Sequence, residues 1–569
     1  MMYLIKKLPY GQSNYEELIK ENYEYVDKTK YIEKLENLYD KYIFFLRPRR
    51  FGKSLFTSVL ENYYDINKKN EFKNLFKETY IGKNPTPLKN SYYIVKFNFS
   101  GLVTETEESL LESFNDCCVR GIKKFIAMYN IDIKLEKRKY PSDVFANFLN
   151  EVEFKIDKPI YVIIDEYDHF ANELLSFKTD LFSSIVSKTG FIRKWYEVLK
   201  IGTESIISRI FATGVSPITL DSLTSGFNIS TDITKYESFN EMMGFTEDEV
   251  RSLIKRTVQN EEKIDKIIKE MKVNYNGYLF AEYANKTLFN SDMVLYYLKS
   301  FEETGRAPKE LIDKNIASDY AKLGNIFELK NKDENYKTLE DILKGEEIIA
   351  RITSQFNLER KFNSEDFISL LFYLGLLTIK GEDFGDAILG TPNNTIKELY
   401  FDFYAKRLEE ESNFELDTKE VKDALKEIAK KGSNLKLIKL VECTLNRLSN
   451  RDYITFNEKY IKLIFLTYCY LSRIYLVKSE YEVENGYIDI ALLKQVNMEP
   501  KYFGIMELKY ISKSKYEEKG EEIVKEKLEE AKEQLKKYTT SKELKNIINL
   551  KKWAIIFVND KCVANIELN

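Results

Sequence analysis

Two groups of residues in this sequence have the types and spacing to act on phosphates. The first is Gly52-Lys53-Ser54 in "FFLRPRRFGKSLF" (residues 44–56), with Asp165-Glu166 in "PIYVIIDEYDHF" (residues 159–170). A helix opening at G-K-S offers backbone N–H groups to phosphates, a lysine to neutralise them and a hydroxyl that reaches magnesium. Adjacent carboxylates ending an apolar run supply what remains: Asp165 to hold the magnesium through water, Glu166 to polarise the attacking water. ATP and Mg2+ are the expected cofactors. The loop departs from G-x-x-x-x-G-K-[ST], because Arg47 stands where the first glycine belongs and Pro48, Arg49 and Arg50 follow it. Arg49 and Arg50 either add phosphate contacts or pair with nearby acids to hold the loop. Thr213, ending "RIFAT", either senses a γ-phosphate from the strand between the other two or caps backbone.

The second group lies near the C-terminus, in "ENGYIDIALL" (484–493) and "YFGIMELKYI" (502–511). Glu507 and Lys509 are two apart on an apolar strand, so they share a face, and Asp489 is comparably placed 18 residues before Glu507. In such a D…E-x-K arrangement the two carboxylates bind magnesium while the lysine positions or deprotonates the attacking water. The E-x-K spacing says little in a chain this rich in Glu and Lys; its place on an apolar strand says more. Glu480, Glu482 and Glu484 make the approach acidic, which opposes phosphate binding unless lysines of the 512–537 segment compensate.

The elements that must position these groups are legible in outline. The runs "YIFFL", "YYIVKFNF", "IYVII" and "RIFAT" have strand length and β-branched or aromatic content, and helical patterns separate them. Strands alternating with helices predict a parallel sheet covered on both faces over residues 1–240. Residues 241–400 carry amphipathic stretches and few convincing strands, predicting a mostly helical middle domain. Residues 401–569 return to mixed α/β, with a long helix through 540 between "YFGIMEL" and "WAIIFV".

At 569 residues the chain suggests several domains, and 44% hydrophobic with 31% charged residues is a globular composition. A net charge of −4 supplies no global attraction to nucleic acid, so any such binding must come from a local basic surface. Five cysteines without C-x-x-C spacing fit reduced thiols in a cytoplasmic protein. No window approaches a membrane span, so no membrane association is expected.

Several stretches resemble the AAA-ATPase-like proteins that pair an N-terminal ATPase with a C-terminal PD-(D/E)XK nuclease-like domain. They are "YVDKTKYIEKL", "RPRRFGKSL", "VIIDEYDHF", "RKWYEVLK", "ATGVSPITLDSLTSGFN" and "MMGFTEDEV", in order over most of residues 10–250. The resemblance implies that R-P-R-R-F-G-K-S is the family's own form of the loop. It further implies a RecA-like P-loop core, the helical middle domain and a restriction-endonuclease-like C-terminal domain. Glu458 on a preceding helix and Gln534 and Tyr538 on the following one then join Asp489, Glu507 and Lys509. The expected function is ATP binding and hydrolysis controlling a magnesium-dependent nuclease. Nucleic acid is the expected partner, DNA favoured over RNA, with a homo-oligomer left open. The alternative is a signalling or scaffolding NTPase whose C-terminal domain binds nucleic acid or a partner without cutting. The sequence departs from its relatives near Tyr487, where they carry a basic residue.

Overall fold

The computed structural model describes residues 6–170, 190–217, 227–258, 261–328, 331–354, 356, 363–412, 415–448 and 457–568. They form two compact units, one of residues up to 335 with 348–393, the other of 336–347 with 394–569. Residues 241–335 and 348–393 therefore pack in one unit with the N-terminal sheet, where a separate middle domain over 241–400 was expected.

The first unit is built on β1 (Tyr42–Leu46), β2 (Tyr93–Asn98), β3 (Ile160–Asp165), β4 (Ile207–Gly214) and the short β5 (Thr231–Asp232), paired in the order β2-β3-β4-β1-β5. Every pair is parallel. Each residue of β3 is buried, as a strand covered on both faces requires, and this is why its sequence reads as an unbroken apolar run. The register matches Leu46 with Gly214 and Asn98 with Asp165. The carboxyl ends of β1, β3 and β4 thus finish together, with the two functional loops flanking β4. On one face Trp195 stacks among Phe97, Phe99, Phe114 and Phe145.

Three helices of the same unit, Glu247–Thr257, Glu261–Tyr275 and Ser291–Thr304, follow the sheet. The first opens on a capping box between Thr246 and Glu249. Beyond them β6 (Ile348–Ala350), β7 (Thr378–Asp383) and β8 (Asp386–Gly390) form a small antiparallel sheet. These strands escaped the sequence reading because they are short, three to six residues, and only partly buried.

The second unit holds β9 (Tyr475–Val483), β10 (Gly486–Lys494), β11 (Phe503–Ile511), β12 (Leu550–Val558) and β13 (Lys561–Leu568), in the order β13-β12-β11-β10-β9. Only β11 and β12 run parallel; the other neighbours are antiparallel. A parallel pair needs a long crossover, and the helix Glu521–Thr539 supplies it, burying Ile523, Ala531 and Leu535 in the core. The helix Glu458–Ser472 is buried almost all round and packs on β9, β10 and β11. Gly486, at φ 141°, serves close approach as well as the hairpin turn: a Cβ there would sit 2.8 Å from the Tyr538 ring.

Candidate functional sites

At the first site the loop after β1 turns through two left-handed residues, Arg50 at φ 69° and Gly52 at φ 93°, before the helix Lys53–Tyr64 begins. Gly52 caps that helix with no side chain, leaving its first N–H groups for a ligand. Lys53 is buried; its ammonium donates to the Pro48 carbonyl at 3.2 Å and lies 3.8 Å from Glu166 Oε1. Glu166 is itself left-handed, at φ 55°. A non-glycine residue in that region stores strain of about 1–3 kcal/mol, typical of positions held for function.

Asp165, only 1% exposed, ends β3 with Oδ1 buried and without a hydrogen-bond partner. Burial raises its pKa, with the Glu166 charge adding to the shift and a hydrogen bond from the Ser54 hydroxyl opposing it. A magnesium ion would satisfy that orphaned oxygen and the charge of both acids, so Ser54 and Asp165 fit the metal. A cavity of about 510 Å3 is lined by Gly52, Lys53, Ser54 and Glu166 and also by apolar Val26, Met242, Met243 and Leu253, so it offers both polar and apolar walls.

The arginines divide. Arg47 is buried with its guanidinium between the rings of Phe45 and Phe280, donating to the carbonyls of Leu46, Thr234, Phe239 and Asn240. It ties β1 to the segment after β5. Arg49 and Arg50 line the cavity, and Arg50 also reaches Asp292 at 3.4 Å while its carbonyl accepts from Ser291 Oγ at 3.0 Å. Both arginine roles raised by the sequence have a geometric basis at Arg50. Thr213 is fully buried and donates to the Phe45 carbonyl at 2.7 Å, as the backbone-capping alternative requires; it does not line the cavity.

Sequence reasoning passed over Asp168 and Asn98. Buried Asp168 accepts from the N–H groups of Val215 and Ser216 and from Ser216 Oγ, fastening the loop after β3 to the end of β4. Gly214 must be a glycine there, since a Cβ would fall 2.1 Å from Asp168 Oδ1. The signal was present as a third acid in "DEYD", but its partners sit on another strand. Asn98, next to Asp165 in register, lines the cavity too. In the resembling stretch 212–228, residues 218–226 lie outside the described residues.

At the second site the groups stand on β10 and β11, just past the end of their ladder at Ile490 and Met506, and the side chains of Asp489, Glu507 and Lys509 are buried. Lys509 Nζ donates to Glu507 Oε1 at 3.0 Å, and the Leu508 N–H donates to Asp489 Oδ2 at 2.8 Å. Glu507 Oε2 is buried with no hydrogen-bond partner. Burial, with Asp489 nearby, pushes the Glu507 pKa up to about 8. Burial also raises Asp489, opposed by the Lys462 ammonium and the Leu508 N–H. Burial lowers Lys509, but its charge and hydrogen bond with Glu507 outweigh this and leave it above its ordinary value.

Glu458, in the first turn of its helix, accepts from the Tyr510 N–H at 3.3 Å; burial raises its pKa, and Lys509 opposes the shift. Tyr538 is pushed up to about 12 by burial and by Glu507 and Asp489, and Gln534 Oε1 is buried without a partner. Glu458 and Tyr538 thus lie within electrostatic reach of the two carboxylates. Among the described residues no three His, Cys, Asp or Glu side chains converge as a complete metal cage. Two carboxylates with an orphaned oxygen suit magnesium, which keeps several waters and takes few protein ligands. Sequence reasoning missed Lys462, which reaches Asp489 Oδ1 at 3.5 Å and pairs with Glu480.

Comparison with known proteins finds two family matches, one around each site. Residues 9–224 match a family model described as predicted AAA-ATPase, and residues 456–567 match one described as the PD-(D/E)XK nuclease superfamily. An uncharacterized protein from the vnfD 5' region of Azotobacter chroococcum mcd 1 is 24% identical over 315 residues, 54% of this chain and 56% of that protein. The chain thus aligns with little more than half the length of this curated relative. The chain joins an AAA-ATPase-like domain, carrying the glycine-lysine-serine loop, to a C-terminal domain of the PD-(D/E)XK nuclease superfamily, carrying Asp489, Glu507 and Lys509.

Proposed function

We propose that the protein binds and hydrolyses ATP on a RecA-like core and uses that cycle to control a magnesium-dependent nuclease acting on nucleic acid, DNA in preference to RNA. The observation that carries the reading is shared by both sites: each holds a buried carboxylate oxygen, Asp165 Oδ1 or Glu507 Oε2, that lacks a hydrogen-bond partner. Burying such a group is costly unless something pairs with it, and a divalent cation is what both families use.

In the first site the open N–H groups after Gly52 and the Lys53 ammonium bind phosphate, Ser54 and Asp165 hold the metal, and Glu166 orients the water. Lys53 now pairs with Glu166 at 3.8 Å, so an arriving phosphate takes over the ammonium and frees the carboxylate for that water. In the second site Asp489 and Glu507 hold the metal, which when bound lowers the pKa of a water and steadies charge on phosphate. Lys509, held by Glu507, would position or deprotonate that water. Glu458, Gln534 and Tyr538 position the group.

The non-cutting alternative draws on the acidic run Glu480, Glu482 and Glu484 of β9 and the turn after it, and one assay decides between them. Labelled DNA and RNA are incubated with magnesium, with and without ATP, for the parent and the Glu507→Gln and Glu166→Gln proteins. The proposal expects cleavage that Glu507→Gln abolishes and that responds to ATP only while Glu166 is intact. No cleavage of either substrate by the parent, alongside ATP turnover, establishes the non-cutting reading.

A further inference from the structure

The helix Glu458–Ser472 is buried and mainly apolar, yet one turn after Glu458 it carries Lys462 at 6% exposure. The buried Thr467 and Ser472 hydroxyls of the helix are absorbed locally, on the Leu463 and Cys469 carbonyls. A buried ammonium needs a pairing partner, and Lys462 has two: Glu480 of β9 and Asp489 Oδ1 of β10 at 3.5 Å. Since the Leu508 N–H takes Asp489 Oδ2, both oxygens of Asp489 are engaged, whereas Glu507 keeps one open. A divalent ion held by Asp489 and Glu507 would meet the ammonium 3.5 Å from Asp489 Oδ1, and the like charges would repel. Glu480 already holds it more closely than Asp489 does: the Glu480 carboxylate is half-exposed, on a residue bent to φ 48° within the strand.

We propose that Lys462 is a built-in counter-cation of the nuclease site, shared between Glu480 and Asp489 in the metal-free protein and left to Glu480 alone when a divalent ion takes Asp489. The inference rests on the nuclease reading and deepens it. Lys462 is a positioning residue acting through Asp489, and it sets how much metal the site requires. A residue with a purely structural role would, when removed, loosen the site and weaken metal binding; a competitor, when removed, strengthens it.

The test is calorimetric titration of the nucleotide-free full chain with Mn2+, the signal being assigned to this site by its loss in the Glu507→Gln protein. The Lys462→Met protein keeps the length of the side chain without its charge and should bind Mn2+ roughly tenfold more tightly, the scale on which one adjacent charge shifts a carboxylate's affinity for a cation. Glu480→Gln, at a half-exposed position, should act oppositely, since the ammonium loses its refuge and Asp489 keeps it. Weaker or unchanged Mn2+ binding in Lys462→Met overturns the proposal. If that protein does not fold, tighter or unchanged binding in Glu480→Gln overturns it. A parent that binds no Mn2+ dependent on Glu507 sinks the metal-dependent nuclease reading itself, a result separable from both.

Discussion

The two sites solve the problem of meeting phosphate in opposite ways. In the N-terminal site backbone conformation joins buried Lys53 and Asp165: left-handed Arg50, Gly52 and Glu166 bend the loops so that N–H groups and strand ends converge. In the C-terminal site the groups stand on strands: the β10–β11 ladder runs from Leu492↔Gly504 to Ile490↔Met506, and buried Asp489, Glu507 and Lys509 lie just past its end. Both sites hold charges whose desolvation must be offset by a partner, but the loop site depends on conformation as well. The contrast teaches where each site is vulnerable: the first to changes of shape, the second to changes of charge.

The hardest blow to the comparison comes at Glu507. Glu507→Gln keeps shape and removes charge, and nuclease activity should fall by more than the roughly 10–100-fold lost with an outer partner of a metal ligand, while ATP turnover stays within twofold. The same variant has a pH signature without metal. Because the folded-state pKa is raised from 4.5 to about 8, the folded protein holds the proton more tightly than the unfolded chain. The stability of the metal-free parent should then decline from about pH 4.5 up to about pH 8 and level off, and Glu507→Gln should flatten that decline in thermal melts.

Next in size is Lys53→Ala, which removes a charged hydrogen-bond donor worth about 1.5–3 kcal/mol. Titration with a fluorescent ATP analogue should show affinity weakened roughly 10–100-fold. Parent-like affinity would mean that the loop does not bind phosphate through this ammonium.

Asp168→Ala sharpens the claim that the first site depends on shape. The variant leaves the N–H groups of Val215 and Ser216 buried without their acceptor, at about 1–3 kcal/mol. Its melting temperature should fall and ATP turnover should drop, although Asp168 is not among the residues lining the cavity. Unchanged turnover in the folded variant would detach the β3–β4 fastening from catalysis.

The smallest effect is expected at Arg50. Its pairing with Asp292 is long and part-exposed, so Arg50→Ala should change stability by less than about 1 kcal/mol. ATP affinity should drop more at low salt than at high salt. Salt-independent, parent-like affinity would leave Arg50 with the loop-holding role alone.

What could be read beforehand follows the same division. Gly52-Lys53-Ser54 and Asp165-Glu166 are contiguous in sequence, and the apolar runs before them mark buried strands, so the chemistry and its β-strand supports were visible together. Asp489, Glu507 and Lys509 were visible through strand period. Asp168 and Lys462 were not, and Glu480 was visible only as part of an acidic run, because each acts on a residue of another element and register is not written in spacing. Arg47 could not be placed either: four backbone carbonyls and two rings make its burial tolerable, and all depend on tertiary contacts. The division of the chain was obscured because helical segments pack with the sheet before them without any compositional break.

The strand order also bears on how the protein is made. β1 carries the nucleotide loop, but its neighbours are β4 and β5, and Tyr42 pairs with Ile210, about 168 residues later. At roughly 5–20 residues per second of synthesis, the apolar strand "YIFFL" waits on the order of 10–30 s before its partner exists. During that interval a nascent chain has no finished pocket for nucleotide and exposes an unpaired, aggregation-prone segment. Chains truncated before residue 207 should therefore be unable to bind ATP and should depend on chaperones to stay in solution.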